Sequence, residues 1–189
     1  MKKISIVVPC HNSADYIEKC LESMENQTIG MENLECILVD DASDDGGNTV
    51  AVLEQFESKH PDDVIVIKLD ANLRQGGARN VGIGYASGKY LQFLDSDDFL
   101  EYDACNTAYE VAESCDAQIV QFNHYNRYMN GNIEECETVK QDLQISIGEY
   151  NRDLFLQSGL LDEGCWNKFY RMDFVKETDA RFAEHCVYE

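Results

Sequence analysis

The strongest constraint on the fold is an alternation of short apolar runs and amphipathic segments through the first hundred residues. Four runs have the length and composition of strands buried on both faces, and they cover residues 4–9, 34–39, 64–69 and 90–94. After the first run, Ile17, Cys20 and Met24 recur at helical spacing. This order predicts βαβ crossovers, and therefore an open, mainly parallel sheet in a three-layer α/β/α fold.

The pattern is less regular beyond residue 99. A helix, a strand, a hairpin around Asn130-Gly131 and a second helix are predicted at 103–114, 118–122, 124–137 and 147–156. The short ordered pieces after Cys165 fit no single class. Because no repeat or Pro-rich linker divides the chain, residues 1–189 are interpreted as one domain.

The charge balance limits the partners that such a domain can have. Acidic residues outnumber basic ones 36 to 15, giving a net charge of -21. This surplus repels phosphate backbones and anionic lipid surfaces, so we expect no nucleic-acid partner. No run approaches the ~20 apolar residues that span a bilayer, so membrane association is expected only through a longer parent chain.

The eight cysteines indicate the compartment. They lie in or beside apolar segments without a C-x-x-C pair, so we interpret them as reduced core thiols, with disulfides or a zinc site as the alternatives. The N-terminal apolar run is too short for a signal peptide. A cytoplasmic location is the resulting expectation, with the cytoplasmic face of the membrane as the alternative.

The candidate chemistry begins where the fourth apolar run ends. That run leads directly into Asp95, Asp97 and Asp98, three carboxylates that repel one another unless a cation or a solvated turn relieves them. Carboxylates at positions i and i+2, here Asp95 and Asp97, suit Mg²⁺ or Mn²⁺, which can bind one or two of them and keep positions for substrate phosphates. The alternative is a solvated acidic turn, but the position after a buried strand favours the metal site.

Polar residues also follow the first two runs. His11 and Asn12 come after the first run, and Asp40 and Asp41 after the second. Ligands of open α/β sheets bind outside the carboxyl ends of the strands, so one crevice should collect all these residues. Asp41 could accept hydrogen bonds from a base or a ribose, or cap the next helix. His11 could stack on a base or be an ordinary loop residue.

Two further segments have open interpretations. Residues 76–80 (GGARN) are predicted to form a turn whose N–H groups approach a diphosphate and which supplies Arg79, the alternative being a plain turn. Trp166 and Lys168 could offer a sugar-stacking surface and a basic contact, although a lone Trp is more commonly a core residue.

Taken together, these motifs resemble the family 2 glycosyltransferases with the glycosyltransferase A-type fold. Five blocks stand in the family's order: SIVVPCHN (5–12), a helical segment (16–28), LVDDASDD (38–45), GARNVG (77–82) and GKYLQFLDSDD (88–98), with a weaker echo over 166–182. The resemblance implies a nucleotide-binding half (1–99) and an acceptor-side half (100–189). It also implies inverting transfer of a sugar from a nucleotide-diphosphate donor, with a UDP-sugar expected, to a glycan or lipid-linked acceptor in surface polysaccharide assembly.

The resemblance also implies roles for individual residues. Pro9, His11 and Asp41 would surround the nucleotide base, Arg79 would lie near the base and phosphates, and Asp95 would face the ribose. His11 stands where relatives often have Tyr or Phe.

The resemblance implies a metal site and a catalytic base as well. Asp97, with Asp95 as the second candidate, would ligate Mn²⁺ or Mg²⁺ on the donor diphosphate. In relatives the base is an Asp that follows a Glu soon after a segment like Arg181-Phe182. Glu189 resembles that Glu, so the base is expected just after Glu189, and this chain is expected to bind donor and metal but to transfer sugar poorly.

Two other functions remain possible at this point. A nucleotidyltransferase of similar architecture would need a long Gly-rich, basic loop after the first strand, and residues 9–12 (PCHN) offer none. A non-catalytic module of the same fold would bind a partner or glycan without needing a working Asp97.

Overall fold

Strands and helices alternate through most of the chain in the structure, a computed structural model that describes residues 1–128, 130–136, 144–145, 158, 164–184 and 186. The strands within these residues are β1 (Ile4–Cys10), β2 (Leu34–Asp40), β3 (Val64–Lys68), β4 (Tyr90–Phe93), β5 (Ile119–Gln121), β6 (His124–Arg127), β7 (Ile133–Cys136) and β8 (Lys168–Arg171). The helices are α1 (Ile17–Glu25), α2 (Asn48–Lys59), α3 (Arg74–Tyr85), α4 (Ala104–Cys115) and α5 (Met172–Thr178), with a 3₁₀ turn at Met31–Asn33.

Six strands form the central sheet in the order β3-β2-β1-β4-β8-β5. β1 runs parallel to β2 and β4, and β2 runs parallel to β3. β8 is antiparallel to both β4 and β5 and lies between them. The predicted open, mainly parallel α/β sheet is therefore confirmed, and the unclassified segment after Cys165 supplies the antiparallel strand β8 and helix α5.

Helices cover both faces of this sheet, as the three-layer prediction requires. On one face α1, α2 and α4 pack against Ile6 and Val8 of β1. On the other face α3 and α5 pack against Val7, the residue between them. Successive side chains of a strand point to opposite faces, so a strand covered on both sides has to be apolar throughout. In the described part of the chain, no helix is long and apolar enough to cross a membrane.

The predictions for the second half have mixed outcomes. The hairpin is present as β6 and β7, an antiparallel pair outside the central sheet, with Gly131 at φ +86° in its turn. The predicted helix at 147–156 lies outside the described residues. Four of the eight free cysteines are buried as predicted, namely Cys10, Cys20, Cys36 and Cys105. The prediction was wrong for the other four, of which Cys115, Cys136 and Cys165 are half-buried and Cys186 is exposed.

Residues 76–80 form the start of α3, so the prediction of a turn there was wrong. The glycines of this helix allow close packing. A Cβ on Gly77 would lie 2.4 Å from Leu73 Cβ, and one on Gly82 would lie 2.3 Å from a methyl of Val7 on β1. Gly82 therefore lets α3, which carries Arg79, lie close to β1, and Gly77 lets the helix pack against Leu73 at its own start.

A carboxylate joins β1, β2 and the turn before β4. Glu35 accepts hydrogen bonds from Ser5 Oγ (2.5 Å), Ser87 N (2.8 Å) and Ser87 Oγ (2.7 Å). Gly88 N in turn donates to Ser5 Oγ at 2.9 Å. The turn therefore lies directly on β1 and sets the register from which β4 runs to Asp95.

The close approach of the turn before β4 to β1 can be tested by substituting Gly88. A Cβ at Gly88 would lie 2.6 Å from Ser5 N and 2.8 Å from Ile4 C, both backbone atoms that cannot rotate away. We expect Gly88→Ala to lower the free energy of unfolding by about 1–3 kcal/mol in urea titrations. Gly84→Ala is the control: its Cβ would meet nothing within 4 Å, and added helix propensity should stabilise the chain by up to about 1 kcal/mol. Equal losses in both variants would contradict this account.

Glu35 gives a prediction about pH. Burial raises the pKa of the Glu35 carboxyl, but the hydrogen bonds from Ser5 and Ser87 outweigh burial and leave the pKa below its usual value. The ionised group therefore stabilises the fold above the ordinary Glu value of about 4.3, and this contribution is lost as the pH falls through the lowered folded-state pKa. We expect Glu35→Gln to cost about 1–2 kcal/mol at neutral pH and less in acid. Urea titrations at neutral and acidic pH measure this loss of unfolding free energy. An equal loss at both pH values would contradict the account.

Candidate functional site

The carboxyl ends of β1 and β2 meet at one edge of the sheet and bring two of the predicted residues together. Asp41 N donates to Cys10 O at 2.8 Å, and His11 Nδ1 lies 3.0 Å from Asp41 O. Pro9 lies within β1 and is buried, whereas His11 is exposed. The residues predicted to surround a base thus form one local cluster, and their contact with a nucleotide stays a prediction.

The Asp41 carboxylate connects this cluster to α3. Asp41 is buried, and its Oδ1 accepts a hydrogen bond from Leu73 N at 2.6 Å, just before α3 begins. Asp41 does not cap the helix that follows β2. Asp45, two residues before the N-cap Gly47, instead contacts the first turn of α2, where its Oδ2 accepts hydrogen bonds from Thr49 N (2.9 Å) and Thr49 Oγ1 (2.6 Å).

An ion pair joins α3 to the end of β4. Arg79 Nη2 lies 2.7 Å from Asp95 Oδ1, and the two side chains are only 4% and 19% exposed. The guanidinium also faces the ring of Phe182, with Arg79 Cζ 5.2 Å from the ring centroid. Because a buried cation is costly without an opposite charge, the pair fixes the orientation of Asp95.

Asp97 and Asp98 complete the turn after β4, and both are exposed. Asp98 N donates to Asp95 O at 3.0 Å, which closes the turn. Partial desolvation, and then the negative charges of Asp97 and Asp95, raise the pKa of Asp98 to about 6. The carboxylates therefore repel one another, and a bound cation would relieve this repulsion.

The carboxylates of the turn after β4 suit a divalent cation such as Mg²⁺ only if other ligands are added. In the described ranges no three His, Cys, Asp or Glu side chains converge as a metal-binding group. Asp95 Oδ1 is already bound by Arg79, and Gln75 Nε2 lies 3.3 Å from the same oxygen. An exposed Asp97 with one further carboxylate fits the pattern of Mg²⁺ sites, in which water and substrate phosphates supply the remaining ligands.

The segment that resembles the approach to the catalytic base packs against α3. Asn80 Nδ2 donates to Phe182 O at 3.0 Å, and Phe182 N donates to Asn80 Oδ1 at 2.9 Å. This pair of hydrogen bonds holds Phe182 beside Arg79. Glu189, the residue predicted to precede the base, lies outside the described residues.

Lys168 does not provide the surface cation that was considered in the sequence. It is buried, and its Nζ donates to Gly164 O and to Asn167 Oδ1, the latter at 2.9 Å. Trp166 is half-buried, and its ring meets His124 edge-on at 4.6 Å. Lys168 therefore supports local structure at the start of β8.

Sequence reasoning missed the first turn of α3 as the element that connects the site. Leu73 N binds Asp41, and Gln75 Nε2 approaches Asp95 from the same turn. Asn72 Nδ2 lies 3.4 Å from the His11 ring nitrogens. The polar residues that precede the glycine pair could have indicated this role, but the segment was interpreted as a turn.

The ion pair makes a stability prediction. Asp95→Asn removes the carboxylate charge that faces the buried Arg79 guanidinium, so we expect a loss of about 2–4 kcal/mol in urea titrations. Asp97→Asn makes the same chemical change two residues away at an exposed position, and it should change stability by less than about 0.5 kcal/mol. Similar losses in the two variants would show that the ion pair does not stabilise this turn.

The sequence matches a known protein family over most of its length. The family model described as Glycosyl transferase family 2 matches residues 5–178. The poly(ribitol-phosphate) beta-glucosyltransferase of Bacillus spizizenii is 44% identical over 103 residues, which cover 54% of this chain and 16% of that relative.

Solved structures share the fold of this chain. Staphylococcus aureus TarS superposes with a TM-score of 0.78 at 25% identity, over 96% of this chain and 50% of that one. A structure of TarS in complex with UDP-GlcNAc superposes with a TM-score of 0.74 at 23% identity, over 96% of this chain and 49% of that one. The chain thus spans half or less of the length of these proteins, and the superpositions agree with the α/β architecture described above.

Proposed function

Since this chain belongs to glycosyl transferase family 2, we propose that it transfers a sugar from a nucleotide-diphosphate donor to a hydroxyl group of a surface polysaccharide. A UDP-sugar is the donor we propose, supported by the UDP-GlcNAc bound to TarS. The name of the Bacillus relative, which refers to a poly(ribitol-phosphate), supports a cell-surface polymer as acceptor. One observation carries the proposal: α3 links Asp41 at the end of β2 to Asp95 at the end of β4.

The two ends of this crevice would bind different parts of the donor. The Asp41 carboxylate, oriented by Leu73 N, would accept a hydrogen bond from the imide N–H of uracil, with His11 beside it. Asp95, oriented by Arg79, would accept hydrogen bonds from ribose hydroxyls. Since both carboxylates are already held by partners within the protein, Leu73 N and Arg79, little side-chain entropy would be lost on binding.

Asp97, with Asp95 as second candidate, would hold a divalent cation, Mn²⁺ or Mg²⁺. When bound, the cation would neutralise charge on the departing nucleoside diphosphate. The exposure of Asp97 leaves its oxygens accessible to such an ion, and the crowding of the three carboxylates favours binding it.

The reaction we propose is a single displacement with inversion. The acceptor oxygen would form a bond to the anomeric carbon of the donor sugar as the bond from that carbon to the diphosphate oxygen breaks. The proton of the acceptor hydroxyl would pass to a carboxylate base. Phe182, held by Asn80 next to Arg79, would bring the segment that precedes this base to the donor.

Calorimetry with UDP and Mn²⁺ tests the proposal. We expect UDP to bind more tightly when Mn²⁺ is present. Asp97→Asn should weaken this metal-dependent binding by at least about tenfold, because losing a direct metal ligand costs more affinity than losing a residue that only hydrogen-bonds to a ligand. Asp62→Asn is the matched control, because Asp62 is exposed in the turn before β3, at the opposite edge of the sheet.

Two outcomes would count against the proposal. The first is the absence of UDP binding with or without Mn²⁺, which would favour a non-catalytic module of the same fold. The second is metal-dependent binding that Asp97→Asn and Asp62→Asn leave equally intact, which would remove Asp97 from the metal site.

A further inference from the structure

A groove of about 290 Å³ lies next to the turn that contains Asp97 and Asp98. Its walls come from α1, from the loop between β4 and α4, and from β6. The side chains that line it include Lys19, Glu22, Ser23, Phe99, Tyr102 and Arg127. Phe99 directly follows Asp98, so a molecule in this groove would lie beside the proposed metal site.

The charge of this groove differs from that of the rest of the chain. Acidic residues outnumber basic ones 36 to 15 overall, whereas Lys19 and Arg127 face the groove with Glu22 as its one acid among the described residues. Lys59 and Lys89 each have a carboxylate partner, at 2.6 and 2.5 Å. Within the described part of the chain, neither Lys19 nor Arg127 forms an ion pair, and Arg127 Cζ lies 6.0 Å from the Phe99 ring centroid.

The groove is held in shape by hydrogen bonds between α1 and the loop. Leu100 N donates to Ser23 Oγ at 3.1 Å, and Gln27 Nε2 donates to Glu101 O at 2.7 Å. Thr28 N donates to Tyr102 O at 2.9 Å. A preformed groove binds a ligand without first having to order its own walls.

We propose that this groove binds the acceptor, and that the acceptor is an anionic polymer whose repeating unit carries a phosphodiester; this inference rests on the glycosyltransferase function proposed above. A guanidinium and an ammonium are the side chains that bind phosphate oxygens, as a planar fork and as a point charge. The exposed rings of Phe99 and Tyr102 offer apolar faces to the C–H groups of a polyol or sugar.

Two alternatives explain these features less well. A neutral glycan would need neither cation. The donor diphosphate would lie toward α3, where Gln75 and Arg79 approach Asp95, whereas the groove lies on the α1 side of the turn. The two cations therefore serve a second anion, and for a chain with this net charge they offset the repulsion that an anionic polymer meets elsewhere on the surface.

The test measures binding of an oligomer of ribitol phosphate, with a neutral dextran oligomer and an oligogalacturonate as comparison ligands. We expect only the phosphodiester oligomer to bind appreciably. Lys19→Gln and Arg127→Gln should each weaken that binding about 5- to 10-fold and lower the slope of log K against log salt by about 1. Arg127→Lys, which keeps the charge, should recover most of the affinity.

Lys176→Gln is the charge-matched control, because Lys176 is exposed on α5, on the other face of the sheet. It should leave oligomer binding unchanged, and all four variants should bind UDP with Mn²⁺ as the wild type does and melt at similar temperatures.

Comparable losses of oligomer binding in Lys176→Gln and in the two groove variants would overturn the proposal, as would equal binding of the oligogalacturonate. Binding of UDP without binding of the oligomer would overturn it too, while leaving the proposed transferase function intact. Failure of both ligands to bind would count against both.

Discussion

The Arg79–Asp95 ion pair is the contact on which the geometry of the site depends. The guanidinium lies under α3 with 4% of its side chain exposed, so its charge has to be balanced locally, and Asp95 at the end of β4 balances it. The pair therefore fixes the starting point of the turn that carries Asp97 and Asp98. Phe182 covers the other side of the guanidinium, so the same cation also positions a segment more than a hundred residues further along the chain. One buried charge thus coordinates three parts of the proposed site.

The position of that charge follows from the packing of α3. A larger side chain at Gly77 would clash with Leu73, just before the helix begins. One at Gly82 would clash with Val7 on β1. This close packing brings the first turn of α3 to the carboxyl ends of β2 and β4 together, and the backbone N–H of Leu73 and the amide of Gln75 bind one carboxylate each. A helix that stood further from the sheet could not hold both carboxylates, because these contacts span only one turn. Gly82 therefore acts on the site through the distance between α3 and the sheet.

The sequence predicted those parts of the structure that a periodic pattern encodes. The first four strands are covered on both faces and must be apolar throughout, so runs such as residues 34–39 could be recognised without a structure. β8 could not be recognised, because Lys168–Arg171 is short and half polar, and its strand conformation comes from pairing with β4 and β5. The helical state of Gly76 and Gly77 was missed because local propensity favours a turn, whereas packing against Leu73 and the sheet decides the outcome. The carboxylates of the candidate site were identified from their position at the ends of the predicted strands. The contacts that orient them depend on distances in the folded chain, which the spacing of residues in the sequence does not reveal.

The turn after β4 shows why such a site is recognisable at all. The three carboxylates lie within four residues, and partial desolvation, followed by the charges of Asp97 and Asp95, raises the pKa of Asp98 to about 6. Asp95 is paired with Arg79, whereas Asp97 and Asp98 at the exposed edge form no ion pair within the described residues. A solvated acidic turn would have no need of a buried guanidinium on one side and a preformed groove with two cations on the other. The negative charge of Asp97 and Asp98 thus lies between positive charges on both flanks, an electrostatic order that would suit the metal ion and the two anionic ligands proposed above.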